Sequence, residues 1–134
     1  TLSKEETRRI FEYMTEQAFQ VKVPHLLLYR TLYCLCSDDA TVGAMCSAGV
    51  SALTILPDAT ILPCRRLPIP IGNVLGNGII DTWYNSETLW KLRDYNSYKG
   101  KCQECEHFLA CRGCRSMAYL ATGDYMQEDP QCWK

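Results

Sequence analysis

Four cysteines crowd into the stretch KCQECEHFLACRGC, residues 101–114, with the spacing C-x2-C-x5-C-x2-C at Cys102, Cys105, Cys111 and Cys114. A C-x2-C turn lets two thiolates face one metal centre while the turn's N–H groups point at the sulfurs and offset their charge. Five more cysteines lie elsewhere, at positions 34, 36, 46, 64 and 132, which makes nine in 134 residues. No secretion signal precedes them, because the N-terminus TLSKEETRRIFEYM is charged and helical in pattern. An odd number of clustered cysteines without such a signal points to metal binding rather than to a disulfide framework. A disulfide-stapled secreted domain is the third reading.

Two metal chemistries remain open at this point. A zinc ribbon pairs two C-x2-C knuckles on one tetrahedral ion, with a longer run between them to build a hairpin. Here only EHFLA separates the knuckles, and Cys46, Cys64 and Cys132 would be left over. Four-cysteine sets are also the pattern of iron–sulfur clusters. Two four-ligand sites would use all seven of these cysteines and need one more, for which Cys34 or Cys36 stands upstream. The segment HFLACRGC reads H-x3-C-x2-C, one substitution from the C-x3-C-x2-C triplet of radical S-adenosylmethionine enzymes, but its cysteines already belong to the knot. His107 is therefore not assigned as a ligand, and His25, in an apolar run, reads as a core histidine.

The remainder of the chain sets the frame. A net charge of −1, from 14 basic and 15 acidic residues, gives no surface for nucleic acid or membrane, and no apolar run reaches spanning length. Hydrophobic residues make up 47% and charged residues 22%, the balance of a globular chain. With no initiator Met, the chain reads as cut from something longer, and its location as cytoplasmic. Residues 2–20 form a helix, capped by Ser3 with Glu6 completing a capping box, and Ile10, Phe11, Met14 and Ala18 supply its apolar stripe. Residues 25–33 read as a buried strand, though periodicity alone leaves a buried helix open. Residues 34–49 are loop. VSALTILPDATILPC is a hairpin turning at Pro57 and Asp58, and RRLPIPIGNVLGNG is loop. A short helical turn follows, then a helix capped by Ser86 whose inner face is Leu89, Trp90 and Leu92. A last helix runs from about Gly113 to Thr122 and stops at Gly123. The three tryptophans and eight tyrosines read as packing rather than as a base-stacking platform.

The order of these features resembles the SPASM domain, the auxiliary module of many radical S-adenosylmethionine enzymes. One cysteine, a hairpin, a second cysteine, C-x2-C-x5-C, a further cysteine and a last one follow in sequence from Cys46 to Cys132. LPDATILPC resembles the family's hairpin, IGNVLGNGIIDTWYNSETLWKLR its helix entry, and CRGCRSMAYLATGDYMQEDPQC its close, particularly in members acting on haem-type tetrapyrroles. Ala59 stands where the family has glycine, the knot closes with x2 where many members have x3, and no C-x3-C-x2-C occurs in the chain.

The resemblance implies an α+β fold, a small hairpin plus short helices organised around cysteine-ligated clusters. Residues 1–45 would be the terminal helix, strand and bridge from a radical S-adenosylmethionine barrel absent from this chain, and residues 46–134 the auxiliary domain. It implies a crosswise ligand split. Cys102, Cys105, Cys111 and Cys132 would hold one 4Fe–4S cluster. Cys46, Cys64 and Cys114 would hold another, with Cys36 or Cys34 as fourth ligand or with one iron open. S-adenosylmethionine would bind only in the missing core. The role implied is electron transfer or substrate positioning during modification of a peptide, protein or tetrapyrrole, and the chain would not be active alone. The alternative is a zinc-binding structural or interaction domain, and zinc can also stand in for lost iron. Arg65, Arg66, Lys101, Arg112 and Arg115 flank the cysteines, where cations favour a more negative reduced centre and raise its potential.

Overall fold

The computed structural model describes residues 2–21 and 45–134, apart from the side chains of residues 14, 15 and 17–21. Cys34, Cys36, His25, the expected strand over 25–33 and most of the expected bridge lie outside the described residues. Helix α1 spans Lys4–Val21. Its start is the expected capping box: the Ser3 N–H and hydroxyl both donate to Glu6 Oε2 at 2.8 Å, and the Glu6 N–H donates to Ser3 Oγ at 3.2 Å. Of the expected stripe, Phe11 is buried and meets Trp133, with Thr7 buried one helical turn before it, whereas Ile10 is 43% exposed. The side chains of Met14 and Ala18 lie outside the described ones.

The hairpin forms where the sequence places it. Strands β1 (Thr54–Ile55) and β2 (Thr60–Leu62) pair antiparallel, with Thr54 opposite Leu62 and Ile55 opposite Ile61. Pro57 and Asp58 occupy the two central turn positions, and the Ala59 N–H donates to the Leu56 carbonyl at 2.9 Å. Ala59 then takes φ +67°, the left-handed conformation that closes a three-residue hairpin and usually calls for glycine. The loop expected after Cys64 contains a third strand, β3 (Gly72–Asn73), antiparallel to β2. Two residues are too few to show a period-2 pattern. Gly72 is required there by close approach, since a Cβ would meet Thr82 Cγ2 at 2.9 Å.

Thr82 belongs to α2 (Gly78–Asn85), which packs on this sheet and hands over at Ser86 to α3 (Glu87–Arg93). Ser86 Oγ accepts from the Leu89 N–H at 3.4 Å, the expected cap. Leu89 and Leu92 are fully buried, but Trp90 is 56% exposed, contrary to the expected inner face. At one position after Leu89 the helix has turned by about 100°, and the indole N–H donates instead to the Tyr84 carbonyl at 2.7 Å.

Two short 3-10 turns, Tyr95–Ser97 and Gly100–Cys102, lead into the knot, and α4 (Arg115–Thr122) leaves it. Gly123 terminates α4 at φ +77°, its N–H donating to the Tyr119 carbonyl. The core gathers Leu89, Leu92, Tyr98, Phe108 and Met126 around Cys102, with Phe108 edge-on to both Tyr95 and Tyr98. Thus the knot is part of the core. The architecture is α+β, with short helices around a three-stranded antiparallel sheet of order β1-β2-β3.

Candidate metal centre

Every cysteine of the knot region is placed by a local device. Cys102 ends the second 3-10 turn, where the Lys101 N–H donates to Glu128 Oε2 at 3.0 Å and so ties the turn to the tail. Between the two C-x2-C pairs the chain makes tight turns. The Phe108 N–H reaches the Cys105 carbonyl at 3.0 Å and the Cys111 N–H the His107 carbonyl at 2.9 Å. These turns bring Cys102, Cys105 and Cys111 to one side. The tail then turns at Asp129, with the Cys132 N–H on the Asp129 carbonyl at 3.0 Å. Cys132 thereby joins Cys102, Cys105 and Cys111 in the wall of a single cavity of about 470 Å³. Cys114 is not in that wall; His107, Arg112 and Lys101 are.

Cys114 faces elsewhere. It is the residue before α4, and the N–H groups of Ser116 and Met117 bond towards its sulfur. Burial nevertheless pushes its thiol above the ordinary range, against those two helix N–H groups, and Asp129 and Cys46 add to the rise. The Cys46 N–H donates to the Cys111 carbonyl at 3.1 Å, which seats the entry segment beside the knot. Ser116 Oγ donates to the Arg66 carbonyl at 2.6 Å and pins the end of the hairpin, just past Cys64, to the first turn of α4. Cys46 is thus close enough to act on the Cys114 thiol, and Cys64 lies two residues before the carbonyl that Ser116 holds. The Arg66 N–H points at the Cys64 sulfur at 3.5 Å.

Burial also raises the Cys132 thiol, opposed by the Lys134 N–H and reinforced by the neighbouring sulfurs of Cys111 and Cys102. No disulfide joins any of the described cysteines. Nor, among the described residues, do three or more Cys, His, Asp or Glu groups meet at the spacing one ion requires. A zinc ion bonds sulfur at about 2.3 Å and would draw four sulfurs to within about 4 Å of one another. Here the four thiols stand around a cavity.

Donors on the sulfurs fit an anionic centre. The Gly113 N–H donates to Cys111 Sγ at 3.4 Å, and Arg115 Nη2 donates to Cys102 Sγ at 3.4 Å. Of the five cations flanking the cysteines, the structure separates one from the rest. Arg65, Arg66 and Lys101 are exposed. Arg112 is buried but gives its guanidinium to the Leu92 carbonyl and lies over the rings of Tyr98 and Phe108. Arg115 alone of the five donates from its side chain to a cysteine sulfur. Asp129 has a role that sequence reasoning missed. It is buried, with Oδ2 accepting from the Cys114 N–H at 2.7 Å and Oδ1 from the Gln131 N–H at 2.9 Å. It thus fixes Cys114 on one side while its turn delivers Cys132 on the other. An Asp-Pro pair just before the last cysteine is the signal that could have found it.

Residues 46–106 match the family model described as SPASM, an iron–sulfur cluster-binding domain. The matched stretch contains Cys46, Cys64, Cys102 and Cys105 and ends before Cys111.

Among curated proteins the chain is 40% identical over 87 residues to the AdoMet-dependent heme synthase of Methanosarcina barkeri, covering 65% of this chain and 25% of that protein. It is 36% identical over 95 residues to the enzyme of the same name from Nitratidesulfovibrio vulgaris, covering 71% and 25%. The Oleidesulfovibrio alaskensis enzyme of that name is 33% identical over 95 residues, covering 71% and 24%. The chain thus spans about a quarter of the length of these relatives. No solved structure matches it. No helix among the described residues is long and apolar enough to cross a membrane.

Proposed function

We propose that this chain is the auxiliary cluster-binding part of a cytoplasmic radical S-adenosylmethionine enzyme that acts on a tetrapyrrole. Residues 46–134 would form the auxiliary domain, and residues 1–45 the end of the catalytic barrel and the bridge from it. Cys102, Cys105, Cys111 and Cys132 would hold one 4Fe–4S cluster; Cys46, Cys64 and Cys114 would hold a second, with Cys34 or Cys36 as fourth ligand or with one iron open. Bound there, such clusters supply one-electron transfer. The protein's part is to fix their positions, give N–H donors to the sulfurs and keep them inside the packed core. Cleavage of S-adenosylmethionine belongs to the rest of the parent protein.

The observation that carries this reading is the sharing of one cavity by Cys102, Cys105, Cys111 and Cys132, with Cys114 turned to another side. Cys132, far along the chain from the third ligand, returns to the knot, while the much nearer Cys114 leaves it. This supports the crosswise arrangement that two centres would need, and a cavity lined by four cysteines suits a polynuclear centre better than a single ion. The tetrapyrrole substrate rests on the names of the relatives and on the resemblance of residues 111–132 to tetrapyrrole-acting members.

The test is anaerobic purification of the full-length protein. Absorption around 400 nm, together with iron and acid-labile sulfide equivalent to two clusters beyond the one in the catalytic core, is the expected result. Colourless protein with stoichiometric zinc and no labile sulfide would overturn it in favour of a structural zinc domain.

A further inference from the structure

Arg115 breaks three ordinary rules at once. It is a cation in the first turn of a helix, where the macrodipole favours acids. It is only 1% exposed, although buried charges are normally paired. And its fork ends on neutral groups: Nη1 donates to the carbonyls of Tyr125 at 3.1 Å and Gln127 at 2.8 Å. Its Nε is buried with no hydrogen-bond partner, and its guanidinium lies 4.8 Å from the Tyr98 ring centroid. Among the described residues no carboxylate lies within ion-pair distance of it. The buried acid Asp129 spends both oxygens on the amides of Cys114 and Gln131. The one group it hydrogen-bonds that can carry a negative charge is the Cys102 sulfur, 3.4 Å from Nη2.

We propose that Arg115 is the built-in counter-charge of the centre held by Cys102, Cys105, Cys111 and Cys132, which raises that centre's reduction potential and makes the folded domain depend on its being loaded. The proposal rests on the cluster reading above. A guanidinium fixed against a ligand sulfur in a desolvated core favours the more negative, reduced state. In the unloaded domain the same buried charge has no cluster to face and opposes folding. One residue therefore acts with opposite sign on the two forms, which a purely packing role would not do.

The experiment compares Arg115→Gln and Arg115→Lys with the parent in the natural full-length protein, by potentiometric titration followed by electron paramagnetic resonance and by thermal unfolding with and without iron and sulfide. In Arg115→Gln, the reduced-to-oxidised ratio of this centre at a fixed poise is expected to fall about tenfold or more, which is about 59 mV for a one-electron couple. Arg115→Lys keeps the charge and most of the potential. Without iron, Arg115→Gln unfolds no lower than the unloaded parent; with iron it unfolds lower than the loaded parent. Equal potentials in all three proteins, the same shift in Gln and Lys variants, or equal destabilisation of loaded and unloaded forms would overturn the proposal. If Arg115→Gln does not fold, parent protein carrying ¹⁵N-guanidino arginine decides: a nitrogen coupling to the reduced centre supports the contact, and its absence removes it. Protein that binds no iron at these cysteines would instead sink the functional reading itself.

Discussion

Replacing Gly113 by alanine tests the packing of the knot in one step. Gly113 sits between Cys111 and Cys114 at φ +59°, a conformation that costs an L-residue about 1–2 kcal/mol. A Cβ built there would overlap Arg115 Nη2 and come within 3.1 Å of Cys102 Sγ and 3.2 Å of Asp129 Cβ. The guanidinium has little room to move, because two carbonyls and the Cys102 sulfur hold it. Overpacking of that kind costs about 1–3 kcal/mol. Against this, alanine restricts the unfolded chain and returns about 0.4–1 kcal/mol.

The net is a destabilisation of about 2–4 kcal/mol. Gly123 is the internal control. It has φ +77° but nothing within 4 Å of an added Cβ, so Gly123→Ala carries only the backbone cost, about 1 kcal/mol after the same offset. Anaerobic denaturant titration of both variants, read by circular dichroism and by loss of the visible chromophore, should place Gly113→Ala well below Gly123→Ala. If the two midpoints coincide, Cys102, Gly113 and Arg115 are not packed as described.

Two further outcomes follow from local geometry. Ala59→Gly relieves the left-handed strain at the hairpin, about 1–2 kcal/mol, and gives back part of it through the freer unfolded chain. It should stabilise the protein by about 0.5–1 kcal/mol in the same titration, and a loss of stability would contradict the assigned turn. The Asp124 carboxyl is held below its usual range by Lys99, whose Nζ lies 2.6 Å away, and then by the Met126 N–H at 2.9 Å. A depressed carboxylate contributes stability above its unfolded pKa and loses it as pH falls through the lower folded value. The contribution should therefore be present at neutral pH and fade below about pH 4. Because the pair is half exposed it is worth only about 0.2–1 kcal/mol, and Asp124→Asn should remove that acid-side slope.

Much of this was legible from residue types alone. The capping box at Ser3 and Glu6, the Pro57–Asp58 turn, the Ser86 cap and the Gly123 stop are local chemistry, decided within a few residues, and they stand in the structure where the sequence puts them. What escaped was decided at longer range. Trp90 is apolar enough to suggest the core, yet only the angular position of α3 against the Gly49 loop and the Tyr98 ring selects Leu89 and Leu92 instead. The strand at Gly72–Asn73 exists because β2 offers it an edge and Thr82 leaves no room for a side chain.

At the candidate site, the spacing marked the cysteines and the flanking cations. It could not say that Arg115 turns inward to a sulfur while Arg65 and Arg66 stay in water. Nor could it show that Asp129 holds the amide of one cysteine while its turn delivers another.

Cys132, rather than Cys114, must complete the set with Cys102, Cys105 and Cys111 if two centres share these cysteines crosswise. The direct measurement is iron and labile-sulfide content, with Mössbauer spectra, of single Cys→Ala variants of the full-length protein purified anaerobically. Cys132→Ala should lose the same cluster as Cys105→Ala, and Cys114→Ala the same cluster as Cys64→Ala. If Cys114→Ala and Cys105→Ala deplete one centre together and Cys132→Ala leaves it intact, the crosswise arrangement is wrong.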